Sequence, residues 1–342
     1  MNIKKITSIV LVLVFACALL LQGCSASGSD TLTIYTALPE SEIPSYLEAF
    51  EADTGIKVEY VRLSAGEILS KLQVEKNNPQ ASVWYGGPAD TFVAAAKEGL
   101  LESYKSDELK NIPDNYIDPD GTWSPIYVGA LAFACDKEWF DENGLQYPTS
   151  WADLLKPEFE GQISMAHPGS SGTAYTILST IVQLKGEDDT WDYFSELDKN
   201  IRQYTKSGSA PPKNVALGEA AIGISFSHDC LKPTAEGYPI ELSFPADGTG
   251  YEIGGVALIK DGPEMENGQK FIDWCLSAEG QNVYSTNSSF RLPINTEAIV
   301  PEGAVNIADL AVIDYDFSWA GENRKRLVEE FTNKVANKDN LK

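Results

Sequence analysis

The chain has 342 residues, with 26 Lys and Arg against 50 Asp and Glu, two His and a formal net charge of −24. That balance excludes nonspecific binding to nucleic acid and a polybasic attachment to anionic lipid, but not a small anion held by a local site. With 43% hydrophobic and 10% aromatic residues, the chain can build two domains or one large α/β unit and is not globally disordered.

Residues 1–23 open with Met-Asn-Ile-Lys-Lys, continue as an apolar run from Ile9 to Leu21 and end on Gln22-Gly23 before Cys24. A charged start and an apolar stretch too short for a comfortable bilayer span predict a secretory signal. Leu21-Gln22-Gly23-Cys24 resembles a bacterial lipobox, which implies that Cys24 is lipidated and tethers the chain to a membrane outside the cytoplasm. Loss of Lys4 and Lys5 with the signal takes the net charge from −24 to −26. Residues 24–30 are small and polar, as a flexible tether requires. Cys135, Cys230 and Cys275 are widely spaced and form no C-x-x-C, so they read as buried structural thiols, with one disulfide among them left open.

Thr31–Tyr35 is a β-rich run, and Ile43, Tyr46, Leu47 and Phe50 at helical spacing predict a helix over about 40–53. A strand at 57–63, a helix at 68–75, a strand at 81–85 and a helix at 89–97 follow. Three βα units in succession imply a parallel sheet with helices on its faces. Beyond a looser stretch at 101–125, residues 126–135 read as a long buried strand. A second set holds a strand at 162–165, helices over 174–183 and from 191, and a strand at 221–225. Residues 252–259 form another apolar run, and 269–277 and 324–335 carry amphipathic helical patterns. The expected fold is α/β with two lobes. Lobe 1 takes 31–126 and 260–342, lobe 2 takes 127–259, and 126–135 and 252–259 are the extended crossings of a two-strand hinge. In such a plan a ligand sits beyond the carboxyl ends of the strands, between lobes that close on it.

The loops at those strand ends carry the candidate chemistry. Thr36-Ala37 precede Pro39, Ser64-Ala65-Gly66-Glu67 forms a capping box, and Gly86-Gly87-Pro88 follows the third strand. Ser171-Gly172-Thr173 stands before the 174–183 helix, and Ser207-Gly208-Ser209 before a helical 213–219. Free N–H groups at helix N-termini favour an anion, and hydroxyls add donors without charge. His228-Asp229, past the 221–225 strand, reads as a loop pair able to donate to and accept from sugar hydroxyls, or as a satisfied loop histidine. His167 shows no metal-ligand spacing with that pair, and neither metal nor cofactor is expected.

Ser64-Ala-Gly-Glu67, Val83-Trp-Tyr-Gly-Gly87, Ser171-Gly-Thr-Ala-Tyr175 and Leu217-Gly-Glu-Ala-Ala-Ile-Gly223 together resemble the substrate-binding proteins of ABC importers. More narrowly they are similar to the branch that holds ferric-ion, phosphonate and hexose-phosphate binders. The resemblance covers essentially the whole mature chain. It implies a type II periplasmic-binding-protein fold, a monomer without enzymatic activity, and a cognate ABC permease as partner. Ferric binders of this branch present adjacent tyrosines where this chain has Ser225-Phe-Ser-His-Asp-Cys230, which counts against a hard ion that needs phenolates. His228 and Asp229, with Glu252 downstream, resemble the sugar-holding set of the hexose-phosphate binders. The resemblance therefore implies a phosphorylated sugar, its hydroxyls on those three residues. Its phosphate would lie on Ser64, Ala65 and Gly66, on Ser171, Gly172 and Thr173, and on Ser207, Gly208 and Ser209. Thr36, Ala37, Trp84, Gly87 and Arg291 are further candidates. The competing readings are a binder of 2-aminoethylphosphonate or of ferric ion with a synergistic anion, an extracytoplasmic phosphatase, and a sensor module. The sequence has no G-x-S-x-G and no H-E-x-x-H to support hydrolysis.

Overall fold

The computed structural model describes residues 31–335; the expected signal, Cys24 and the tether lie outside the described residues. In chain order the first half holds β1 (Thr31–Thr36), α1 (Ile43–Thr54), β2 (Lys57–Arg62), α2 (Ala65–Glu75), β3 (Val83–Pro88), α3 (Ala89–Lys97) and the short β4 (Leu101–Glu102). Then come β5 (Ser124–Asp136), α4 (Lys137–Asn143), β6 (Ile163–Ala166), α5 (Gly172–Lys185), α6 (Glu187–Asn200), β7 (Ile201–Thr205), α7 (Ala210–Ala216) and β8 (Ile222–Phe226). The remainder is α8 (Ser227–Ala235), β9 (Ile240–Ser243), β10 (Tyr251–Ile259), α9 (Met265–Leu276), α10 (Ala278–Thr286), β11 (Leu292–Pro293) and α11 (Phe317–Lys334).

β1 lies between β2 and β3, all parallel, as the three early βα units require. β6 lies in the same way between β7 and β8. The two groups are joined through β5, whose thirteen residues are buried along all but the last position. A strand covered on both faces reads as a continuous apolar run, which is what 126–135 displays. Its first part pairs antiparallel with β10, from Tyr251 opposite Ala130 to Val256 opposite Ser124. Its second part, Leu131–Cys135, pairs with β8. The strand order is β2-β1-β3-β10-β5-β8-β6-β7.

The two larger of three apolar clusters among the described residues follow this division. One gathers Ile34, Phe50, Val83, Phe92 and Trp274; the other gathers Phe133, Trp151, Tyr175, Phe194 and Phe331. We call the elements around them the first and second lobe. Two features differ from the sequence expectation. β10 pairs only with β3, β4 and the first part of β5, so it belongs to the first lobe and is not itself a crossing. α11 places Ala320, Leu327 and Phe331 in the second core, with the Phe331 ring edge-on to Phe194 and Tyr204, so the chain end returns to the second lobe.

The hinge is correspondingly a three-segment seam. Leu131 N–H donates to Gly250 O, Thr249 N–H donates to Ala311 O, and Ile313 N–H donates back to Thr249 O. Thr249 Oγ1 donates to Leu131 O at 2.8 Å. Short extended segments crossing between two separately packed cores are where such a fold hinges.

Candidate ligand-binding cleft

At the seam the carboxyl ends of the parallel strands of both lobes face each other across one shared pocket. Its walls are the starts of α2, α5, α7 and α8, the turn after β1, and side chains from β5 and β10.

One end is rich in donors. Ser64 caps α2, and its N–H donates to the Glu67 carboxylate at 2.9 Å, completing the capping box that the sequence predicts. Ser171 caps α5, its Oγ accepting from Ala174 N–H at 3.2 Å. Gly208 lets the 207–209 loop press onto this cap: a Cβ there would lie 2.1 Å from Thr173 Oγ1. Ser207 and Ser209 Oγ are 3.0 Å apart. Arg62, the last residue of β2, completes this end, with Nη2 donating to Ser207 Oγ at 2.8 Å and Nε to Leu38 O at 3.2 Å. Burial pulls its pKa down, opposed by Glu67, Asp229 and Glu40, and the guanidinium stays charged.

The other end mixes donors and acceptors. Ser227-His228-Asp229 form the first turn of α8 rather than the expected loop, because Phe226 closes β8 and leads directly into the helix. The His228 ring stacks on Phe226 at 5.7 Å and meets Tyr127 edge-on at 5.6 Å. Its Nε2 lies 3.5 Å from Glu252 Oε1 and 3.9 Å from Asp229 Oδ2. Gly129 makes room for it, since a Cβ there would stand 2.6 Å from His228 Nδ1. Burial, and then the Arg291 charge, hold His228 well below its ordinary pKa, so it is neutral and can both donate and accept. Burial pushes Glu252 well above the usual carboxylate range and Asp229 up to about 6. Arg291, behind them, is ion-paired with Glu42 and sits 4.9 Å over the Tyr127 ring.

Most of the sequence candidates meet here. Ala37, Ser64, Ala65, Gly87, Ser171, Gly172, Thr173, Ser207, Gly208, Ser209, His228, Asp229, Glu252 and Arg291 all line the cleft. Three do not. Trp84 is core: its Nε1 donates to Gly86 O, and its ring packs 4.3 Å from Phe92. Thr36 is buried beneath the wall, its Oγ1 accepting from Leu38 N–H. Gly66 lies behind the wall, and its N–H donates across the lobes to Ser170 O at 3.0 Å. Arg62 and Tyr127 were missed. Arg62 is at the carboxyl end of a parallel strand, directly before the Ser64 cap, and that position was a readable signal; Tyr127 sits in an apolar run and gave none. His167 is away from the cleft, with Nδ1 accepting from Gly169 N–H and its ring edge-on to Phe331. Among the described residues, no cluster of three or more His, Cys, Asp or Glu is placed to hold a metal, and Cys135, Cys230 and Cys275 are free and buried.

Two α/β lobes joined by a shared seam, with helix N-termini converging on one cleft, define a type II periplasmic-binding-protein fold. Residues 89–319 match the family of bacterial extracellular solute-binding proteins, and the chain belongs to that family, the solute-binding components of ABC importers. A curated but uncharacterized protein of Haemophilus influenzae is 38% identical, with 98% of this chain and 99% of that one covered. The periplasmic binding protein AfuA of Actinobacillus pleuropneumoniae, solved with exogenous fructose-6-phosphate bound, is 39% identical with a TM-score of 0.87, over 89% of this chain and 98% of that one. The Fe(3+)-binding periplasmic protein of Serratia marcescens is more distant, 26% identical over 90% of this chain and 91% of that one.

Proposed function

We propose that this protein captures a phosphorylated sugar, of hexose-phosphate size, in the interlobe cleft and presents it to a membrane ABC permease. The observation that carries the reading is the chemical asymmetry of the cleft. Helix N-termini, hydroxyls and the Arg62 guanidinium at one end suit a phosphate. Neutral His228, carboxyl-bearing Asp229 and Glu252 at the other suit hydroxyls that both donate and accept. The likeness to AfuA, solved with fructose-6-phosphate, supports the same class. 2-Aminoethylphosphonate would use the first end but brings no hydroxyls to the second. Ferric ion is disfavoured because, among the described residues, Tyr127 is the one tyrosine in the wall, and burial pushes its phenol far above the usual range, toward the un-ionised form.

The same proposal includes Cys24 as the lipidated anchor of the mature chain, holding the lobes near the permease. Mass spectrometry of small molecules released from natively purified protein tests the ligand class. A phosphorylated sugar supports it; a phosphonate or iron replaces it.

A further inference from the structure

Glu42, at the N-cap of α1, is only 1% exposed and was not among the sequence candidates. Its carboxylate takes two cations from different lobes. Oε2 accepts from Arg291 Nη1, and Oε1 lies 3.2 Å from Lys232 Nζ. Arg291 is part of the cleft wall, while Lys232 stands one turn along α8 from His228 and Asp229. Arg62, the other cation in the wall, is committed to the opposite end through Ser207.

The charge at the inner end is therefore closed before any ligand arrives. Glu42 and Asp229 together offset Arg291 and Lys232, and the acidic groups facing the space are Asp229 and Glu252. A hydroxyl placed there finds donors and acceptors. A second anionic group would face two carboxyl groups with no unmatched cation, and an unpaired charge in a buried site is strongly disfavoured.

We propose that Glu42 is the specificity-determining residue of the cleft: by matching Arg291 it excludes a ligand that carries a second anionic group beside its phosphate. This rests on the phosphorylated-sugar reading and narrows it to singly charged-headed sugars. Glu42 touches no ligand on this account and acts through Arg291, so it is a positioning residue whose readout is a ratio of affinities.

Calorimetric titration of the full chain with glucose 6-phosphate and with 6-phosphogluconate compares ligands of similar size, the second bearing a carboxylate at the far end. Wild type should prefer glucose 6-phosphate. Glu42→Gln, which frees the Arg291 charge, should move the ratio toward 6-phosphogluconate by about tenfold or more. Lys232→Met, which leaves Glu42 and Asp229 against Arg291 alone, should move it the opposite way. The Lys232 side chain is 16% exposed and its loss leaves the Glu42–Arg291 pair intact, so that variant decides the matter even if Glu42→Gln does not fold. A ratio that stays put in Lys232→Met, or moves toward 6-phosphogluconate, overturns the role of Glu42. Wild type that binds neither of these nor fructose 6-phosphate overturns the phosphorylated-sugar reading itself, and with it this inference.

Discussion

Gly66→Ala separates lobe closure from ligand contact. Gly66 is the second residue of α2 and lies behind the cleft wall. An added Cβ would stand 2.5 Å from Gly169 O and 2.8 Å from Ser170 O, both backbone atoms of the other lobe. Relief to ordinary van der Waals distance requires the lobes to part by roughly 1 Å at this point. Overpacking of this kind costs about 1–3 kcal/mol, and the cross-lobe bond from Gly66 N–H to Ser170 O at 3.0 Å is worth about 1 kcal/mol more. Both fall on the closed state alone. A penalty of about 2–4 kcal/mol weakens ligand binding roughly 30- to 700-fold. The open state escapes it, and Ala is the better helix former, so the ligand-free protein should melt no lower than wild type. Calorimetry gives the affinity, thermal unfolding without ligand gives the stability, and small-angle scattering should show a ligand-saturated variant more open than wild type. Affinity within about twofold of wild type would refute the reasoning.

The remaining expectations concern the two ends of the cleft. His228→Ala removes a buried donor–acceptor and should weaken hexose 6-phosphate binding about 10- to 100-fold while leaving inorganic phosphate within a few-fold, both read by calorimetry. Arg62→Met should weaken sugar phosphate and inorganic phosphate together, about 10- to 100-fold, through loss of a charge-assisted contact. Asp229 gives a pH signature. Its folded pKa, raised by burial to about 6 from an ordinary 3.8, means the folded chain binds the extra proton between those values, so this group's contribution is present at pH 4 and lost as pH rises through 6. Urea unfolding should therefore show wild type losing up to about 3 kcal/mol relative to Asp229→Asn between pH 4 and pH 7. A difference that is flat with pH would mean that Asp229 is not desolvated.

Much of the fold was legible because it rests on local periodicity. The early βα units, the buried run of β5 and the caps at Ser64 and Ser171 are written in short windows of sequence. What escaped depends on distant partners. β10 looks like a crossing by length and apolarity, and only its pairing with β3 and β4 assigns it to the first lobe. The pattern of α11 showed an apolar face but not which core would receive it. In the cleft, short polar loops announced themselves, whereas Trp84 was indistinguishable by type from a ligand-stacking ring. Glu42 was invisible for the same reason: its partners Lys232 and Arg291 are 190 and 249 residues away.

The central claim is that one cleft reads phosphate and sugar hydroxyls together. Titrating the wild-type chain in parallel with a hexose 6-phosphate, the unphosphorylated hexose and inorganic phosphate tests it most directly. One-to-one saturable heat is expected for the hexose 6-phosphate, with each fragment at least about a hundredfold weaker. Equal affinity for inorganic phosphate, or no heat with any phosphorylated hexose, would contradict it.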